Sequence, residues 1–131
     1  MRKIVLLIAI CVMFINANAQ NDNKIETLKK EYLTKNLELT PQESEKFFPL
    51  YREYEMKKKN LRKSLRNDLK GAEHDASQAS MDKIMSQEQE ILDVQKEYVQ
   101  KFRQFLPEHK IVKLLSVEKE FKKMLLEKLK D

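Results

Sequence analysis

Apolar side chains recur every three or four residues along four stretches of the chain, and this spacing predicts four α-helices. The first covers residues 24–36 and carries Ile25, Leu28, Tyr32 and Leu33. The sequence has one glycine in 131 residues, too few for the turns of most sheet folds. We therefore expect an all-α fold: four helices, with a long bent antiparallel hairpin and short flanking helices in a cradle-like arrangement.

The second helix has the clearest start signal. Thr40 stands at the N-cap and Pro41 at the first helical position, and the Glu43 carboxylate can reach back to the cap's N–H. We expect the helix to run from Pro41 to about Lys70, with a left-handed Gly71 after it. Pro49 inside it predicts a bend rather than a break, because the apolar stripe continues in phase. That stripe is Phe47, Leu50, Tyr51, Tyr54, Leu61, Leu65 and Leu69.

The third and fourth helices follow a loop over residues 71–80. Ser80 is the expected cap of the third helix, residues 81–104, and Pro107 after Leu106 starts the fourth. The third stripe is Ile84, Ile91, Tyr98, Phe102 and Phe105, and the fourth is Ile111, Leu114, Leu115, Glu118, Phe121, Leu125 and Leu129.

The second and third helices have similar lengths and a short connection, which predicts an antiparallel hairpin with Tyr54 near Tyr98. Two helices in one layer cannot enclose a core, so the other helices or a second subunit must cover them, and we expect a homodimer. Three polar residues interrupt the stripes: Lys58, Glu88 and Gln95. Each either extends its stem to solvent or makes a polar contact that sets register, and the sequence leaves both readings open.

The first nineteen residues have the three parts of a secretory signal peptide. A basic start, Met1 to Lys3, precedes an apolar run over residues 4–15, and Ala17 and Ala19 form an A-x-A cleavage site. We expect cleavage after Ala19, which leaves residues 20–131 as one domain in the periplasm. A retained anchor, or a lipoprotein modified at Cys11, fits less well. The net charge of +5 suits acidic partners, but export argues against nucleic acid.

Two helix starts resemble each other: Leu39, Thr40 and Pro41 in the first half, and Leu106 and Pro107 in the second. With residues 47–54 (F-F-P-L-Y-R-E-Y), the first start resembles the Spy/CpxP family of periplasmic proteins, especially its Bacteroidota-type branch. That family carries two L-T-x-x-Q motifs. The first maps onto Leu39, Thr40 and Glu43, with Glu in place of Gln. The second maps onto Leu106 and Lys110, with Pro107 in place of Thr.

The resemblance implies a cradle-shaped antiparallel dimer. It also implies an ATP-independent chaperone for unfolded or misfolded envelope proteins, or a stress-response modulator that acts on a sensor kinase. A regulatory adaptor that docks on a sensor kinase or an anti-sigma factor is therefore the alternative function. A plain structural coiled coil fits less well, because Pro49 and Pro107 interrupt the helices. A trimeric, tentacled chaperone is a further alternative to the dimer.

The second helix carries the candidate binding residues on the side away from its apolar stripe. Positive charge there would steer acidic or unfolded chains, and an off-stripe Met would give adaptable apolar contact. The simpler interpretation is a solvated helix face. The candidate client-binding residues are Phe48, Arg52, Met56, Lys59, Lys63, Arg66 and Lys70.

Residues typical of catalysis or metal binding are sparse. The two histidines, His74 and His109, lie far apart in sequence and lack the partners that a three- or four-ligand metal site needs. No nucleophile–base motif and no Gly-rich phosphate loop is present in the sequence. We therefore expect a protein that is not an enzyme and that needs no cofactor.

Overall fold

The computed structural model describes residues 23–131, and α-helix is the regular secondary structure throughout them. The four helices are α1 (residues 23–36), α2 (Pro41–His74), α3 (Gln78–Arg103) and α4 (Glu108–Lys128). The all-α fold predicted from the spacing is confirmed. The predicted signal peptide lies outside the described residues. Across 23–131, none of the helices combines the length and the apolar character that a membrane crossing requires.

The start of α2 forms as its sequence predicts. The Thr40 side chain accepts a hydrogen bond from the Glu43 N–H at 3.1 Å, and the Thr40 N–H donates to Glu43 Oε1 at 2.9 Å. This capping box satisfies two donors at the helix start. The helix then continues without interruption past Pro49 to His74.

The predicted end of α2 is wrong. Gly71 lies inside the helix with a negative φ, and the Asp75 N–H donates to its carbonyl at 3.1 Å. No side chain lies near Gly71, and its carbonyl accepts the ordinary i, i+4 hydrogen bond, so the helix continues through it. Ser77 rather than Ser80 caps α3, because the Ser77 hydroxyl accepts from the Ser80 N–H at 3.1 Å. The connection is therefore only residues 75–77.

Helices α2 and α3 form the predicted antiparallel hairpin. Aromatic rings fill its interior: Tyr54 and Tyr98 have centroids 5.2 Å apart, and Phe47 and Phe102 5.1 Å apart. The ring planes are tilted by 32° in the first pair and 42° in the second, and aromatic pairs at such distances add stability beyond the area they bury. The predicted stripes of both helices thus meet, and five of their aromatic residues are buried with exposures of 4% or less: Phe47, Tyr51, Tyr54, Tyr98 and Phe102.

The chain divides into two compact units, one of them residues 39–115 with the hairpin. The other contains α1 and the end of α4, where Leu33 is buried and the rings of Tyr32 and Phe121 lie 5.3 Å apart. Val117 is also buried here, although the predicted α4 stripe omits it. Glu38, which follows α1, has a φ of 53°, a left-handed conformation that favours glycine.

Candidate interaction surface

The candidate binding residues lie together along the outer face of α2. The cations among them are all exposed: Arg52, Lys59, Lys63, Arg66 and Lys70. Tyr51 and Tyr54 on the opposite face are buried. This separation follows from the 3.6-residue period of the helix. We call the set the basic face of α2; its members are Phe48, Arg52, Met56, Lys59, Lys63, Arg66 and Lys70.

Two apolar side chains belong to this face and differ in exposure. Met56 is 61% exposed. Phe48 is half-buried, and its ring packs edge-on against Phe47 with centroids 5.1 Å apart. Phe48 is therefore partly covered by the hairpin and partly in contact with solvent. Met56 is the more accessible apolar side chain of the face.

Positive charge on the basic face is unbalanced. Residues 59–70 contain five Lys or Arg and a single acid, Asp68. Asp68 pairs with Lys83 of α3 at 2.9 Å and so does not neutralise the face. Among residues 23–131, no acidic side chain lies within ion-pair distance of Lys59, Lys63 or Arg66. The positive potential of this face is therefore directed to solvent.

Two neighbouring lysines behave differently because they lie over aromatic rings. The Lys58 ammonium is 3.9 Å from the centroid of Tyr54, and the side chain is only 7% exposed. Burial excludes the interpretation in which Lys58 extends to solvent and favours a cation–π contact inside the hairpin. Lys57 lies 5.2 Å from the Tyr98 ring, and burial raises the pKa of that tyrosine. Lys58 thus belongs to the hairpin interior. Lys57 is exposed and lies within ion-pair distance of Glu53 and Glu97, so neither lysine adds to the basic face.

The other two interrupting residues of the stripes lie closer to solvent. Glu88 is exposed and Gln95 is half-buried on α3. Their positions fit the interpretation in which a polar side chain reaches the edge of the hairpin.

The two similar helix starts meet in space. Lys110 Nζ, in the first turn of α4, lies 2.7 Å from Glu43 Oε1 in the capping box of α2. Both side chains are largely buried, with exposures of 13% and 14%. The hydrogen bond from Lys110, together with that from the Thr40 N–H, holds the pKa of the Glu43 carboxyl below its ordinary value.

The leucine that precedes each helix start is also buried. Leu39 and Leu106 are both buried. Pro41, the first residue of α2, and Pro107, which directly precedes α4, are exposed. Next to Pro107, Arg103 makes a bidentate ion pair with Glu108. Its Nη2 lies 2.7 Å from Oε1 and its Nε 3.0 Å from Oε2. The motif residues therefore act in the structure of the hairpin base and lie apart from the basic face.

An exposed apolar strip on α3 was not predicted from the sequence. Met81 and Met85 are each 54% exposed and Leu92 is 43% exposed. They lie four and seven residues apart and so share one side of the helix. The i, i+4 spacing of the two methionines could have predicted this strip. The stripe of isoleucine and aromatic residues beside it is the stronger periodic signal in the sequence of α3.

Within residues 23–131, no group of three or more His, Cys, Asp or Glu side chains is arranged to hold a metal ion. Comparison with protein-family models, curated proteins and solved structures yields no match.

Proposed function

We propose that the protein is a periplasmic, ATP-independent chaperone-like protein that binds partly unfolded envelope proteins on the basic face of α2. The observation that supports this most directly is the row of solvent-directed cations at Lys59, Lys63 and Arg66 beside the 61% exposed Met56. The resemblance of residues 39–54 to the Spy/CpxP family points to the same function.

Binding on this face would be fast, weak and tolerant of sequence. Exposed cations steer acidic segments towards the surface, and water screens them enough to keep each contact weak. A flexible methionine can pack against many apolar side chains. A client that folds buries its apolar segments and so leaves without an energy source.

Client range is the experimental test. The protein at substoichiometric to equimolar ratio is added to two unrelated denatured proteins, and light scattering follows their aggregation. The proposal predicts slower aggregation of both. Failure with both clients contradicts it, and capture of one defined acidic sensor domain in a pull-down would then support the regulatory adaptor.

A further inference from the structure

The two halves of the α2–α3 hairpin are held by different contacts. In the base half, residues 47–58 and 94–105, five aromatic side chains are buried, and their rings contact one another within α2 and across to α3: Phe47, Tyr51, Tyr54, Tyr98 and Phe102. In the tip half, residues 59–93, all of which the structure describes, Ile84 is the one buried side chain. The inner residues there are half-buried or exposed: Leu61, Leu65, Leu69 and Ile91.

The tip half depends instead on polar contacts near solvent. Lys83 Nζ lies 2.9 Å from Asp68 Oδ1, and Gln87 Nε2 donates to Ser64 Oγ at 3.0 Å and to Asp68. Water competes with exposed contacts of this kind, so they contribute little to stability. The buried Oε1 of Gln87 has no hydrogen-bond partner among the described residues, which is unfavourable.

Two further features weaken the tip half. An open surface groove of about 470 Å³ lies between α2 and α3 next to Leu61 and Val94, so water reaches these side chains where the aromatic packing ends. Gly71 occupies the last part of α2 and lowers its helical stability, because glycine loses more backbone freedom than other residues on folding. Few buried apolar contacts together with exposed polar ones characterise the segments that open first in native proteins.

We propose that the tip half of the hairpin opens as a local unit while the aromatic base stays closed, and that opening presents Leu61, Leu65 and Ile91 to an unfolded client. The second part rests on the proposed chaperone function. The basic face would attract the client, and the inner apolar residues would then hold an apolar segment of it.

Amide hydrogen exchange tests the opening directly. Amides of residues 61–70 and 84–92 are expected to exchange at least about tenfold faster than those of residues 50–56 and 98–103, because local opening exposes them without global unfolding. Equal protection in the two halves would overturn the proposal.

A covalent bridge tests the link to client binding. Ser64→Cys and Gln87→Cys are placed in residues 20–131, the chain expected after cleavage, which has no other cysteine. A short bismaleimide that joins them ties the two helices together at the tip. The matched control carries Gln89→Cys and Asp93→Cys, whose parent side chains hydrogen-bond at 2.8 Å within α3, so the same reagent leaves the helices untied.

The bridged tip should exchange more slowly and lose at least about threefold in suppression of client aggregation. The control leaves α2 untied, so it should keep both its suppression and the exchange rates of residues 61–70. Slower exchange with undiminished suppression would show that opening does not serve client binding. If the unmodified protein suppresses no aggregation at all, the chaperone function fails, and the exchange comparison still decides whether the tip opens.

Discussion

Lys110 Nζ lies 2.7 Å from Glu43 Oε1 and joins the first turn of α4 to the capping box of α2. The same carboxylate accepts a hydrogen bond from the Thr40 N–H, so one side chain completes a helix cap and an ion pair. Because both partners are largely buried, removing either one leaves a charge with poor access to water.

The Glu43–Lys110 contact should show strong coupling in a double-mutant cycle. Glu43→Gln and Lys110→Met should each destabilise the protein by about 1–3 kcal/mol, and the double variant should cost less than their sum. Urea unfolding followed by circular dichroism provides the free energies. Strict additivity of the two changes would show that the contact contributes nothing.

Acid should weaken the protein partly through Glu43. Its pKa in the folded state lies below the ordinary value of 4.5, so the unfolded chain takes up the proton more readily. The stability it provides is complete above the unfolded pKa and is lost as the pH falls through the folded one. Between about pH 5 and pH 3, the unfolding free energy of the Glu43→Gln variant should therefore fall less steeply than that of the unchanged protein. Parallel curves would contradict this role for Glu43.

The left-handed conformation of Glu38 predicts a stabilising substitution. Its φ of 53° costs an L-residue with a β-carbon about 1 kcal/mol, a cost that glycine avoids. Glu38→Gly should therefore be more stable than Glu38→Ala by about 1 kcal/mol. Both variants remove the carboxylate, so the comparison isolates the backbone. An alanine variant as stable as the glycine variant would show that the turn after α1 is unstrained.

Local signals and apolar spacing predicted much of the fold. The Thr40 cap and the uninterrupted helix across Pro49 depend on residues close in sequence. The contact of Tyr54 with Tyr98 depends on the apolar stripes of α2 and α3. The end of α2 was mispredicted because glycine in a solvent-exposed helix costs only about 1 kcal/mol, which the surrounding helix tolerates. Ser77 and Ser80 both suit an N-cap, and their spacing alone does not choose between them.

The candidate site was predictable only in part. Periodicity placed Lys59, Lys63 and Arg66 on the outer face of α2 correctly. The i, i+4 spacing brings Lys58 next to Tyr54, but it does not decide whether the ammonium lies over the ring or reaches solvent, because that depends on how the lysine stem bends. The Glu43–Lys110 pair spans 67 residues of sequence. Both residues take the last position of a helix-start motif, but the motifs do not indicate that the two side chains meet.

Reversing the charge of the basic face tests most directly whether clients bind there. The variant Lys59→Glu, Lys63→Glu and Arg66→Glu is compared with Lys119→Glu, Lys122→Glu and Lys123→Glu, three exposed lysines of α4 that give the same change in net charge. Circular dichroism verifies that both variants keep their helicity, and light scattering follows aggregation of the same two clients. The account predicts that suppression is lost in the α2 variant and kept in the α4 variant. Equal suppression by both variants would contradict it.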